Sequence, residues 1–143
     1  MDWKETDLTR INAMCADTLM EHLSIEFIGL GEKQITAKMP VDRRHHQPMG
    51  RLHGGASVAL IESVASMGSA LLLDLRKEAP LGLEVNANHI GGIKEGNVVA
   101  SGELIHQGRK THVWKVDIHD EQTERLLCSG RITIMIIATE GGR

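Results

Sequence analysis

Residues 54–75 read GGASVALIESVASMGSALLLDL, and this stretch decides what the rest of the chain must build. It is apolar on nearly every side, opens on two glycines, and carries a single carboxylate, Glu62, before Asp74. A helix of that kind has to be enclosed, by lipid or by other elements. Glu62 near its middle, with Ser57, Ser63, Ser66 and Ser69, argues against a membrane span, because a charge at mid-bilayer costs at least ~2.5 kcal/mol. The segment is therefore expected to be the central helix of a soluble fold, running from Gly54 to about Leu75.

Working outward, the pattern after this helix changes to a period of two. Residues 82–90, 97–105, 111–119 and 125–137 alternate apolar and polar positions and read as strands, with turn residues at 94–96, 107–110 and 120–121. Before the helix, residues 7–22 space Leu8, Ile11, Met14, Cys15 and Leu19 as one helical face. Residues 25–30 and 34–39 read as two strands about a turn at Gly31 and Glu32, and 40–53 as a loop with two prolines. Four successive strands with short connections argue an antiparallel sheet. The expected class is α+β, one domain over residues 1–143, with about six strands wrapped around one long helix. The last strand is long and apolar, so edge pairing with a second copy is expected, giving at least a dimer.

Composition narrows the function. The chain has 143 residues with a formal net charge of −3, which disfavours duplex nucleic acid as a partner. Aromatics are confined to Trp3, Phe27 and Trp114, too few for a base-stacking platform. Cys15 and Cys128 form no metal or redox pair, and the N-terminus has no apolar signal core. A cytoplasmic protein is expected. The eight histidines include no HExxH, and no nucleophile elbow, dinucleotide or phosphate-loop motif occurs, so neither a metal nor a cofactor is expected.

What remains is Glu62 and the segment HHQPMGRLHGGAS before the helix. Gly55, Ser66 and Ser69 fall within about 40° of Glu62 on a helical wheel, giving a narrow polar stripe with room for a ligand. The plain alternative is a buried glutamate satisfied by serine hydroxyls or by an arginine. Gly54 and Gly55 at a helix start expose backbone N–H groups suited to an oxyanion, and Gln47 and His53 flank them as donors. His45 and His46 are expected to be structural. One carboxylate plus an oxyanion donor suits thioester hydrolysis, because a thiolate with conjugate acid pKa near ~8.5 needs no strong general acid to leave.

The strings MPVDxRxxQPxGxLHGGAS, ALxES, GLExNANH and GRxxxxWxVxIxDE resemble the hotdog-fold acyl-CoA thioesterases, near the 1,4-dihydroxy-2-naphthoyl-CoA hydrolases and the enterobactin-proofreading thioesterases. The likeness runs from Trp3 and Lys4 to the last strand. It implies a hotdog fold, a homotetramer, and a site shared across a dimer interface. By this resemblance Glu62 is nucleophile or general base, and Gly54 polarises the thioester carbonyl. Gln47 and His53 assist from the other subunit, and Ser66 orients the attacking water. Gly82, the stretch His89, Ile90, Gly91 and Gly92, and the stretch His106, Gln107, Gly108, Arg109, Lys110 and Thr111 line the channel for coenzyme A, which is part of the substrate. The family's arginine after NANH is Gly91 and Gly92 here, so a phosphate contact is lost or passes to Lys94. QPMG replaces QPFG, so aliphatic acyl groups gain weight beside flat aromatic ones, and the expected substrate is an aromatic or medium-chain acyl-CoA. Rival readings are a thioesterase acting on a carrier protein's acyl group and a non-catalytic acyl-CoA-binding module.

Overall fold

The computed structural model describes residues 7–139, so Trp3 and Lys4 lie outside the described residues. Its elements are α1 (Leu8–Ala13), α2 (Leu19–His22), β1 (Glu26–Gly31), β2 (Gln34–Val41), α3 (Gly54–Ala70), β3 (Glu78–His89), β4 (Gly96–Gln107), β5 (Thr111–Asp120) and β6 (Leu126–Ala138). The six strands form one antiparallel sheet in the order β1-β2-β4-β5-β6-β3. The sheet curls around α3, which packs against β2, β3, β4, β5 and β6. Among the described residues no helix is long and apolar enough to cross a membrane.

Close approach of helix and sheet depends on small residues. Gly68 lies under the Trp114 ring, where an added Cβ would come within 2.5 Å of Cη2, and Gly130 faces Ile61 Cδ1 at 2.6 Å on the same measure. Trp114 is fully buried, and its indole N–H donates to Ser69 Oγ at 2.9 Å. Ser69 thus belongs to the core and not to the polar stripe around Glu62. Replacing Ser69 by alanine leaves that N–H buried without an acceptor, an expected cost of about 1–3 kcal/mol. Urea unfolding checks this, and a loss under ~0.5 kcal/mol would show that the bond is dispensable.

Three expectations are corrected. The single helix over 7–22 is two short ones. Asp17 takes φ 58°, its N–H is received by Glu21 Oε2 at 2.8 Å, and Thr18 caps α2 by accepting from Met20 N–H. The central helix stops at Ala70, not Leu75. Leu72 and Leu73 tighten to i−3 bonds, and Asp74 then gathers Arg76 and turns the chain into β3. The last strand is not an edge, because β3 pairs along β6 and covers it. The edges are β1 and β3. Pro80, which cannot donate to a ladder, is tolerated at such an edge.

Candidate active site

The 40–53 loop is held rigidly. Arg44 donates to Asp42, His22 O and Ser24 Oγ, and its side-chain and backbone bonds to Asp42 keep that carboxyl well below the usual carboxylate range. His45 is buried. It accepts from Asp42 N–H at Nδ1 and donates from Nε2 to Leu23 O, at 3.3 and 2.8 Å. His46 donates to Lys94 O at 2.7 Å. Both are structural, as expected. The bridge between His46 and Leu52 closes residues 47–51 into a tight turn, where Gly50 takes φ 72°. Gln47 Oε1 accepts the Met49 N–H, leaving its amide N–H groups as donors.

This loop delivers His53 to the start of α3 as its N-cap. His53 Nδ1 accepts from Gly55 N–H at 2.7 Å, so in the neutral ring Nε2 carries the proton and faces outward as a donor. Ala56 and Ser57 donate back to His53 O. The Gly54 N–H has no partner among the described residues, which leaves one oriented donor at the positive end of the helix. The His89 ring lies against Gly54, with Nε2 2.9 Å from where a Cβ would sit, so a side chain there would have to displace that ring.

Glu62 lies eight residues further along α3, a rise of about 12 Å. It is half-buried, and its carboxylate lies over Gly82 so closely that an added Cβ there would overlap Oε1. No hydrogen bond or ion pair satisfies it among the described residues. Ser63 Oγ donates to Ala59 O and Ser69 serves Trp114, so the serine-satisfied alternative fails. Ser66 stands beside it on an apolar groove of about 400 Å³, and a cleft of about 160 Å³ opens on its other side along residues 82–85.

The candidate residues of one chain therefore fall into two groups. Gln47, His53, Gly54 and His89 gather at the helix start, while Glu62, Ser66 and Gly82 lie about 12 Å away. The remaining channel candidates divide likewise. Residues 89–92 run beside Leu127, where Ile90 and Gly91 both donate to Leu127 O, at 2.8 and 3.0 Å. The turn bearing His106, Gln107, Gly108, Arg109, Lys110 and Thr111 is at the opposite end of β5, at the level of Gly82, closed by Gly108 N–H to Thr111 O at 2.8 Å.

Two arginines stand where the resemblance leads to one after NANH. Arg51 lies over Gly92, and Arg125 lies over Gly91 while donating to Gly92 O at 2.7 Å. Neither guanidinium has an ion-pair partner among the described residues. Sequence reasoning missed both. Arg51 sits inside the quoted loop string, but nothing local marks Arg125, which arrives through the β5–β6 turn. Burial pushes the thiols of Cys15 and Cys128 up, which disfavours either as a nucleophile. Among the described residues no three histidine, cysteine or acidic side chains cluster to hold a metal.

Residues 49–127 match the thioesterase superfamily. The chain belongs to that family. It is 41% identical over 138 residues to the 1,4-dihydroxy-2-naphthoyl-CoA hydrolase of Escherichia coli, covering 96% of this chain and 100% of that one. It is 39% identical to the proofreading thioesterase EntH of Cronobacter turicensis, over 96% and 99% of the two chains. A crystal structure of a variant of thioesterase PA1618 from Pseudomonas aeruginosa superposes with a TM-score of 0.91 at 41% identity, over 94% and 96%. The fold is thus the hotdog fold of the thioesterases, and the protein is a thioester hydrolase, not a non-catalytic binding module.

Proposed function

We propose that the chain hydrolyses acyl-CoA thioesters, metal-free, at a site completed by a second copy. The observation that carries this reading is the Glu62 carboxylate beside Gly82, without a hydrogen-bond or ion-pair partner among the described residues, in a family of thioester hydrolases. A dimer reconciles the two half-sites. β3 is an edge with Leu81, Leu83 and Ile90 about half exposed or more. A two-fold axis between Val85 and Asn86 pairs Gly82 of one β3 with His89 of the other, within the slack of the bulge at Leu83. Glu62 of one subunit then faces Gly54 and His53 of its partner. A homotetramer follows by likeness to the family, and two free buried thiols fit a reducing, cytoplasmic setting.

The chemistry follows from these positions. The Gly54 N–H, with His53 Nε2 and the Gln47 amide as further donors, polarises the thioester carbonyl and holds the oxyanion. Glu62 either removes a proton from water oriented by Ser66 or attacks the carbonyl itself. On the first course water adds to the carbonyl, the C–S bond breaks and the free acid forms directly. On the second the C–S bond breaks to leave an anhydride on Glu62, which water then opens to the free acid and the regenerated carboxylate. On both the thiolate leaves and takes up a proton. Arg109 and Lys110 attract the nucleotide phosphates, with Arg51 and Arg125 available at Gly91 and Gly92.

Thiol release from a panel of acyl-CoAs tests this reading, and no turnover of any would overturn it. Arg109→Ala is expected to raise KM more than it lowers kcat, to lose its effect at high salt, and to leave pantetheine thioesters untouched. Equal losses on both thioesters would remove Arg109 from the phosphate site. The second reading, a carrier-protein thioester as substrate, rests on Arg51 and Arg125, which have no ion-pair partner among the described residues, and faster turnover of the carrier-bound acyl group identifies it.

A further inference from the structure

The apolar groove beside Glu62 has a wall that the sequence did not bring forward. Its inner side is α3, from Ala59 to Ala70, and its outer side is the α1–α2 segment through Met14, Leu19 and Met20. In an unbroken helix these three would point about 100–140° apart and could not share a groove. The break at Asp17 and Thr18 brings them to one side. Met14 and Leu19 are 41% and 61% exposed, unusual for large apolar groups facing a cavity. Beyond Glu62 and Ser66 the groove offers no free polar group among the described residues, since Ser63 is committed to Ala59 O. Among the described residues no aromatic ring lines it.

We infer that this groove receives the acyl chain of the substrate, that the chain is a flexible aliphatic one of medium length, and that Leu19 and Met20 set its limit. The inference rests on the acyl-CoA reading above. Methionine and leucine walls adapt to a bending alkyl chain but supply neither a stacking face nor a donor for a hydroxylated ring. Each methylene that is buried strengthens binding about fourfold. From Glu62 to Ala70 the helix rises about 12 Å. That length holds roughly eight to ten carbons at ordinary C–C spacing.

The experiment measures kcat/KM for straight-chain acyl-CoAs from four to sixteen carbons and for benzoyl-CoA. Binding of the matching S-alkyl-CoA thioethers, which cannot be hydrolysed, is measured by calorimetry. The wild type is expected to improve with length to eight or ten carbons and to prefer octanoyl-CoA over benzoyl-CoA. Leu19→Trp, at an exposed position where folding tolerates bulk, is expected to weaken ten-carbon ligands at least tenfold and four-carbon ligands less than twofold. Leu19→Ala is expected to move the optimum to longer chains. Preference for benzoyl-CoA, or equal losses at every length in Leu19→Trp, overturns the inference. Length-dependent thioether binding without turnover of any acyl-CoA would overturn the hydrolase reading of this site while sustaining the groove.

Discussion

Replacing Glu62 by glutamine is expected to lower acyl-CoA hydrolysis 10²-fold or more while leaving the fold intact. Losing an acid–base or nucleophilic group costs on that scale. Glutamine is nearly isosteric and also fits over Gly82. Because Glu62 makes no hydrogen bond or ion pair among the described residues, no structural interaction is lost with its charge, so thermal unfolding should scarcely move. The measurement is kcat/KM on a responsive acyl-CoA beside the unfolding temperature. Wild-type rates in the purified variant would remove Glu62 from the mechanism, and a large fall in unfolding temperature would show a structural role.

Mixing Glu62→Gln with His53→Ala is expected to restore activity from two nearly inactive preparations to about a quarter of the wild-type level. The figure follows from two-fold symmetry. At equal amounts half of the dimers are mixed, and each mixed dimer rebuilds one intact site from Glu62 of one chain and His53 of the other. The motivation is geometric. The two half-sites lie about 12 Å apart on one helix, too far to act on one carbonyl. Exchange of subunits, confirmed with differently tagged chains, must precede the assay. No recovery after confirmed exchange would place the whole site within one chain. His53→Ala also removes the N-cap that holds Gly55 N–H, so its secondary structure is compared with wild type first.

Much of the candidate site was legible because its parts are local. Glu62 stands out as a lone carboxylate in an apolar helix. Gly54 and Gly55 announce the helix start, and His53 is adjacent to both. The period-two strands were legible for the same reason, since alternation is a property of neighbouring residues. The break between α1 and α2 was not. The apolar spacing of Leu8, Ile11, Met14 and Leu19 continues across it, while the competing side-chain caps of Thr18 and Glu21 act only once the turn is formed.

By its own pattern, then, the sequence determined the class of fold, the enclosed helix, and the residue types of a thioester hydrolase, all readable within a few turns or strands. Tertiary structure alone decided which strand lies at the edge, because β3 chooses β6 over β4 through pairings some forty to sixty residues distant in sequence. It alone placed Gly82 under Glu62, His89 against Gly54, Arg125 over Gly91, and Met14 and Leu19 across from α3. Each is a contact between elements whose relative placement depends on the packing of the whole core, and no local propensity encodes it.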